Sequence, residues 1–213
     1  GASYFWNGPG SYTSTSQNPT VAGFTTADAG TYSVTATVAG CTGSAGTTSV
    51  TINPPPPAPT TGTNAPICSG NTLSLTASTI PGVSAYSWIG PNGFSSSLQD
   101  PTIGSITTLA SGTYSVTASV PGCATSPTGT ISVTINQTPA APAPGSNSPA
   151  CVGGDISLTA SSTGSTYSWI GPNSFSSTSQ NPVLTGVSAA EAGTYTVNTT
   201  SAAGCVSVDA ATT

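Results

Sequence analysis

Residues 86–123 read YSWIGPNGFSSSLQDPTIGSITTLASGTYSVTASVPGC, and close copies of this stretch precede and follow it in the 213-residue chain. Each copy has a Tyr-Xaa-Trp strand, a Gly-Pro turn, an Asn-Pro or Asp-Pro step, a Gly-Thr-Tyr corner and a Gly-Cys pair. The landmark residues keep one period, 82 positions from the first copy to the second and 81 from the second to the third. These landmarks are Trp6, Trp88 and Trp169, and Tyr32, Tyr114 and Tyr195. A fixed period of this kind predicts an array of one small domain.

The composition excludes several classes of function. The chain has no Lys, Arg, His or Met, and its only charged side chains are five carboxylates. Phosphate recognition depends on Lys and Arg, so we expect no nucleic-acid partner. No His or Lys is present to act as a general base, and no paired carboxylates recur between copies, so we expect no enzymatic activity and no cofactor.

The apolar residues alternate with Ser and Thr, as in Leu73-Ser74-Leu75-Thr76-Ala77 and Tyr114-Ser115-Val116-Thr117-Ala118. Alternation with a period of two is typical of strands that are buried on one face. In the second copy it predicts strands near residues 72–78, 84–89, 94–98, 101–107, 113–120 and 129–136. No segment approaches the roughly 20 apolar residues of a membrane span. The sequence therefore predicts an all-β protein.

Two proline-rich stretches divide the chain, and consecutive prolines favour a semi-rigid extended spacer. The predicted organisation is an incomplete repeat lacking its N-terminal strands (1–53), a linker (54–63), a complete repeat (64–136), a second linker (137–147) and a repeat lacking the end of its last strand (148–213). We expect the linkers to hold the repeats apart. We also expect further copies of the repeat in a longer parent chain, as partners of those seen here.

The five cysteines also follow the repeat. Cys68 and Cys123 are 55 positions apart, and Cys151 and Cys205 are 54 apart. The matched spacing predicts one disulfide in each complete repeat, Cys68–Cys123 and Cys151–Cys205, in an oxidising compartment. Cys41 is then left without a partner, because the same spacing of 55 places that partner about fourteen positions upstream of Gly1. A metal site needs clustered ligands at short spacing, so no metal is expected.

The corner motif resembles that of immunoglobulin-like (Ig-like) sandwiches. In those domains a tyrosine at the start of strand F bonds to the preceding turn, and a tryptophan on strand C fills the core. Tyr32, Tyr114 and Tyr195 fit the first role, and Trp6, Trp88 and Trp169 fit the second. The sequence departs from the antibody pattern two residues after each tyrosine, where Val34, Val116 and Val197 replace cysteine.

The repeat as a whole resembles the tandem Ig-like repeats of very large secreted surface proteins of Bacteroidetes, which include gliding-motility-associated adhesins exported by type IX secretion. The resemblance implies a non-catalytic segment of an extracellular, cell-surface adhesin that presents or spaces binding regions for attachment. Its ligand would be a surface glycan or a protein. Two alternatives stay open: stalk repeats of a secreted polysaccharide-degrading enzyme, and a subunit of a self-assembling extracellular fibre. The nearly uncharged Ser/Thr surface would permit lateral self-association.

Three further positions invite a functional interpretation. Asp28 and Glu191 share one repeat position, where a corner hydrogen bond is a better account than catalysis, because Ser111 occupies that position in the second copy. Asp155 is the only carboxylate near a linker, too little for a junction calcium site. Phe5 should face outward, since its equivalents are Ser87 and Ser168, and is a candidate contact residue.

Overall fold

The computed structural model of the chain describes residues 1–162 and 164–213, and in these residues the secondary structure is β-strand with five short 3-10 turns. The strands form separate sheets for three successive repeats. The protein is thus all-β, as the alternating pattern predicts. In the described residues no helix is long and apolar enough to cross a membrane.

The first repeat has a single sheet. Strand β3 is its centre and pairs with β1, β4 and β5, while β2 lies beyond β1 at the edge. The strands are β1 (Ser3–Gly8), β2 (Tyr12–Ser14), β3 (Gly30–Val38), β4 (Cys41–Thr42) and β5 (Gly46–Val50). Two 3-10 turns, Pro9–Ser11 and Thr26–Asp28, connect them. Among the residues that the structure describes, no second sheet lies against this one.

The second repeat is a two-sheet sandwich. Its strands are β6 (Thr61–Thr63), β7 (Ile67–Cys68), β8 (Leu73–Ala77), β9 (Ala85–Ile89), β10 (Ser95–Ser96), β11 (Thr102–Ile103), β12 (Gly112–Ser119), β13 (Gly129–Val133) and β14 (Ile135–Asn136). One sheet has the order β10-β9-β12-β13 and faces a sheet with the order β11-β8-β6. Strand β7 pairs with β14 in parallel and ties the two ends of the repeat together. The 3-10 turns are Pro91–Gly93 and Thr108–Ala110.

The third repeat has the same arrangement. Its strands are β15 (Ala143–Ser146), β16 (Ile156–Ser161), β17 (Thr166–Ile170), β18 (Ser176–Ser177), β19 (Val183–Leu184), β20 (Tyr195–Thr200) and β21 (Ala210–Thr212), with a 3-10 turn at Ala189–Glu191. The orders are β18-β17-β20-β21 and β15-β16-β19. The division into a sheet with the Trp and Tyr strands and a sheet with the first strands is that of the Ig-like sandwich.

The core of the second repeat consists of the inward residues of both sheets. Leu73, Leu75 and Ala77 of β8 lie against Trp88 of β9 and Tyr114 of β12, and all five are buried. The outward residues between them are Ser and Thr. The third repeat has the equivalent core of Leu158, Ala160, Trp169, Tyr195 and Val197. Burial of these apolar side chains is the main favourable term in each sandwich.

The structure corrects the predicted linkers. Residues 61–63 form β6 and residues 143–146 form β15, so the ends of both proline-rich stretches are the first strands of the repeats that follow. Pro59 and Pro142 are buried. A carbon atom added at Gly129 of β13 would collide with the Pro59 carbonyl, so the chain runs directly along this strand. These residues pack as part of a domain and do not act as free spacers.

Candidate functional site at the inter-repeat junction

A tyrosine corner closes each repeat. The hydroxyl group of the tyrosine donates a hydrogen bond to the backbone carbonyl four residues earlier in every copy. The donors and acceptors are Tyr32 and Asp28 (2.9 Å), Tyr114 and Ala110 (3.0 Å), and Tyr195 and Glu191 (2.7 Å). Burial raises the pKa of the Tyr114 phenol above its ordinary value, so the group stays protonated and able to donate.

The Gly-Pro turn packs directly on this corner. A side chain at Gly90 would overlap the ring of Tyr114. Gly112 has a φ of +142° and lies against the ring of Pro91, where an added carbon would come within 2.8 Å of Cγ. The other two repeats have the same contacts. The Gly-Pro and Gly-Thr-Tyr segments of the repeated motif are therefore the two sides of one close contact.

We expect Tyr114→Phe to lower the free energy of unfolding of the second repeat by about 1–3 kcal/mol, because it leaves the buried Ala110 carbonyl without a donor. Urea-induced unfolding of the full chain measures this loss. The matched control is Thr113→Val on the same strand, where the side chain is exposed and the change should stay within about 0.5 kcal/mol. Equal stability of the two variants would show that the hydrogen bond of the tyrosine corner does not stabilise the repeat.

The Asn-Pro or Asp-Pro step and the glutamine before it form a second recurrent contact, which we call the clasp. In the second repeat the clasp is Gln99-Asp100-Pro101. Gln99 Nε2 donates to the Ala77 carbonyl (2.8 Å), and Asp100 Oδ1 accepts from the Ala77 amide (3.0 Å). The Gln99 carbonyl accepts from Trp88 Nε1 (3.1 Å). The clasp therefore ties the core tryptophan to strand β8 of the opposite sheet.

The third repeat uses the same clasp with Asn in place of Asp. Gln180 Nε2 donates to the Ala160 carbonyl (2.8 Å), and Asn181 Oδ1 accepts from the Ala160 amide (3.1 Å). Trp169 Nε1 donates to the Gln180 carbonyl (3.4 Å). Sequence reasoning noted the Asn-Pro step but missed the role of the glutamine. The signal was present, because Gln precedes the step in all three copies.

The shared acidic position has a structural role. Glu191 Oε2 accepts hydrogen bonds from the Ser188 amide (2.7 Å) and hydroxyl (2.8 Å), and Oε1 accepts from Asn173 Nδ2 (2.7 Å). The Ser188 amide, the Ser188 hydroxyl and Asn173 lower the pKa of this exposed carboxyl. Asp28 forms the same cap with Thr25. These carboxylates hold the turn that precedes the tyrosine corner.

Two other candidate positions are placed by the structure. Phe5 is 49 % exposed on the outer face of β1. Asp155 accepts a hydrogen bond from the Gly186 amide (3.1 Å), a contact within its own repeat. In the part of the chain that the structure describes, no group of three or more His, Cys, Asp or Glu is arranged to hold a metal ion.

The disulfide pairing differs from the one predicted. Cys68 of the second repeat is bonded to Cys205 of the third, with Cα atoms 5.6 Å apart. The structure contradicts both predicted pairs, Cys68–Cys123 and Cys151–Cys205. Cys123, Cys151 and Cys41 carry free thiols. The cross-link joins neighbouring repeats instead of closing each one.

The strand register explains why the repeat cannot pair its own cysteines. Cys68 pairs with Asn136, just beyond the point where Val133 of β13 meets the first residue of β12. Cys123 lies in the turn that follows the last residue of β12. The eight residues of β12 span about 27 Å, far more than the 7 Å limit between the Cα atoms of a disulfide. The equal spacings between the cysteines arise because the repeats share one sequence pattern. They do not show which cysteines lie close together in space.

The same register brings Cys205 to the preceding repeat. Strand β15 begins beside Ser161, at the end of its sandwich where β20 finishes and the turn with Cys205 follows. The linker from Asn136 therefore leads to this end, and Cys205 Sγ lies 3.9 Å from the Asn136 carbonyl. Cys205 is fully buried at the junction. The two repeats are in covalent contact, so this linker does not hold them apart.

Within the second repeat, hydrogen bonds fix the start of the linker beside the cross-link. Thr138 donates its amide to Ser69 Oγ (2.9 Å) and its hydroxyl to the Ser69 carbonyl (2.7 Å). Ser69 directly follows Cys68. The disulfide is thus attached to a segment that is hydrogen-bonded to β14, the last strand of its repeat, and to the residues that follow it.

No known protein family matches the chain, and no curated protein matches it. Similar solved structures include murine CEACAM1b (14 % identity, TM-score 0.38, 71 % of this chain and 96 % of that one) and the human OSCAR ligand-binding domain (15 %, 0.35, 74 % and 98 %). Another is the I67–I69 fragment of the titin I-band (12 %, 0.46, 97 % and 86 %). The assignment of the chain as tandem Ig-like sandwiches rests on its own topology, corner and core.

Proposed function

We propose that the chain is a non-catalytic, extended segment of a large secreted cell-surface adhesin, in which the repeats present or space binding regions away from the cell. The repeat sequence further supports a surface protein of the Bacteroidetes kind, exported by type IX secretion and serving attachment and gliding. The partners in this proposal are further copies of the repeat and a surface glycan or protein ligand.

The observation that carries the proposal is the Cys68–Cys205 bond. A linear array is as strong as its weakest junction, because tension passes through every junction in series. A disulfide across a junction strengthens that junction, and here it joins Cys68 of the second repeat to Cys205 of the third. Bonds of this type persist in oxidising surroundings, which fits a position outside the cell.

The surface fits the same role. The chain has no cationic side chain to form ion pairs, and its outward strand positions are mainly Ser and Thr. The interactions of such a surface change little with salt or pH, because few charged groups are present to be screened or titrated. Low net charge also favours lateral association between copies. An array with these properties would keep its form in variable surroundings outside a cell.

Antibody fragments raised against the chain test the proposal on intact cells of the source organism. We expect the fragments to label unpermeabilised cells and to reduce their attachment to a surface. Fragments raised against an unrelated cytoplasmic protein of the same organism are the control and should do neither. Labelling that appears only after permeabilisation would contradict a surface location.

A further inference from the structure

The first repeat has an open apolar cleft. Trp6, Phe24, Tyr32 and Val50 line a cleft of about 560 Å³ on the face that no second sheet covers. Trp6 is only partly buried, yet its Nε1 is buried and has no hydrogen-bond partner among the described residues. In the other two repeats the equivalent face is covered and the equivalent nitrogen donates to a glutamine carbonyl. The cleft therefore exposes the same side chains that a Leu-Xaa-Leu-Xaa-Ala strand covers in the complete core of the second repeat.

The residues that would hold such a strand are present. Gln17-Asn18-Pro19 has the sequence of the clasp, and Gln17 and Asn18 are exposed. In the second repeat the clasp binds both the amide and the carbonyl of Ala77, and the Pro101 carbonyl accepts from the Leu75 amide (3.0 Å). A strand with Leu-Xaa-Leu-Xaa-Ala would meet the same donors and acceptors in the first repeat. Its leucines would cover Trp6 and Tyr32.

The free thiol of Cys123 lies at the rim of this cleft. Cys123 of the second repeat lines it together with Ile52 and Asn53 of the first. At the next junction Cys205 lies beside Asn136, the counterpart of Asn53 in the repeated Ser-Val-Thr-Ile-Asn segment. The cysteine bonded to Cys205 is on the strand that pairs with Asn136 in parallel. The two junctions thus share one geometry, and Cys123 occupies the position of Cys205.

We propose that the cleft is a covalent docking site for a strand-forming peptide segment with a cysteine five residues before Leu-Xaa-Leu-Xaa-Ala. Cys68 and Leu73 of this chain have that spacing. The cysteine of the segment pairs beside Asn53 and forms a disulfide with Cys123, while the leucines fill the cleft. The inference depends on the fold and the junction, and not on a surface role for the protein. In this arrangement the first cysteine of each repeat, such as Cys68, forms a disulfide with the last cysteine of the next repeat, such as Cys205.

The bond forms by thiol–disulfide exchange. The Cys123 thiol loses its proton, and the thiolate attacks the segment's sulfur in a mixed disulfide with glutathione. The new sulfur–sulfur bond forms as the old one breaks, and glutathione leaves as a thiolate with the electron pair. The cystine sulfur of the mixed disulfide supplies the oxidising equivalent, so no other oxidant is needed.

The test uses the full chain and a synthetic peptide with the sequence of residues 64–79, activated at its cysteine with glutathione. We expect the peptide to couple to Cys123 at least about tenfold faster than to Cys41 or Cys151, because docking raises its effective concentration. The coupling is followed by intact mass on the chain and on its Cys41→Ser, Cys123→Ser and Cys151→Ser variants. Only Cys123→Ser should abolish the fast reaction.

The matched control peptide replaces both leucines by serine and keeps the cysteine. It should react with Cys123 no faster than glutathione disulfide does. A serine-for-cysteine peptide should still bind reversibly and alter the fluorescence of Trp6, measured as the difference from a Trp6→Phe chain. Equal rates at the three cysteines, or equal rates for the leucine and serine peptides, would overturn the proposal.

Discussion

Reduction of the Cys68–Cys205 bond is expected to lengthen the chain by about 450–490 Å when it is pulled to full extension from its two ends. The bond encloses 137 positions, and an extended residue spans at most about 3.3–3.6 Å. While the bond is intact, tension passes from Cys68 directly to Cys205, so the segment between them carries none. Single-molecule force spectroscopy with and without a reductant measures the difference.

Two cysteine variants control this experiment. Cys205→Ser should behave like the reduced chain at all times, because Cys68 has lost its partner. Cys123→Ser should match the unreduced wild type, since this thiol is free. Two separate length gains of about 180–200 Å each, the size expected for a 55-position loop, would instead indicate one disulfide within each repeat.

Replacing Trp88 by alanine is expected to lower the free energy of unfolding of the second repeat by about 3–5 kcal/mol, as truncation of a buried aromatic residue does. Trp88 is fully buried among Leu73, Leu75 and Tyr114, and its Nε1 is tied to the clasp. The variant loses both the apolar contacts and this hydrogen bond. Urea-induced unfolding of the full chain gives the change in free energy.

The neighbouring residue supplies the control. Ile89 is 62 % exposed on the opposite face of the same strand, so Ile89→Ala should change the stability by no more than about 0.5 kcal/mol. A large loss for Ile89→Ala together with a small loss for Trp88→Ala would mean that β9 presents its other face to the core.

The sequence was sufficient for the repeat period, the strand pattern and the all-β class, because each depends on local signals. Alternation of Leu with Ser or Thr predicts the inward face of β8, and Gly-Thr-Tyr predicts the corner that the structure contains. The strand near residues 113–120 was predicted within one residue of β12. Trp88 is inward for the same reason, since it alternates with exposed Ser87 and Ile89.

The cysteine partners depend on how repeats meet, which no local signal records. Each cysteine recurs at a fixed position of the repeat. The spacing between Cys68 and Cys123 is therefore regular whichever cysteines form the disulfides. The chain leaves the end of β14 toward the third repeat, where the turn after β20 carries Cys205. This arrangement brings Cys205 close enough to Cys68 to form the disulfide. Strands β6 and β15 were missed because they lie within proline-rich segments that read as linkers.

A peptide map under non-reducing conditions tests the central claim, the disulfide between successive repeats, most directly. The chain has no Lys or Arg for trypsin, so free thiols are first blocked with N-ethylmaleimide and the protein is cleaved with chymotrypsin after Tyr, Trp and Phe. The account predicts that the peptide of residues 33–86 is joined to the peptide of residues 196–213, while residues 115–167 are recovered alone with both cysteines blocked. Recovery of residues 115–167 joined to both other peptides, as the pairs Cys68–Cys123 and Cys151–Cys205 require, would contradict it.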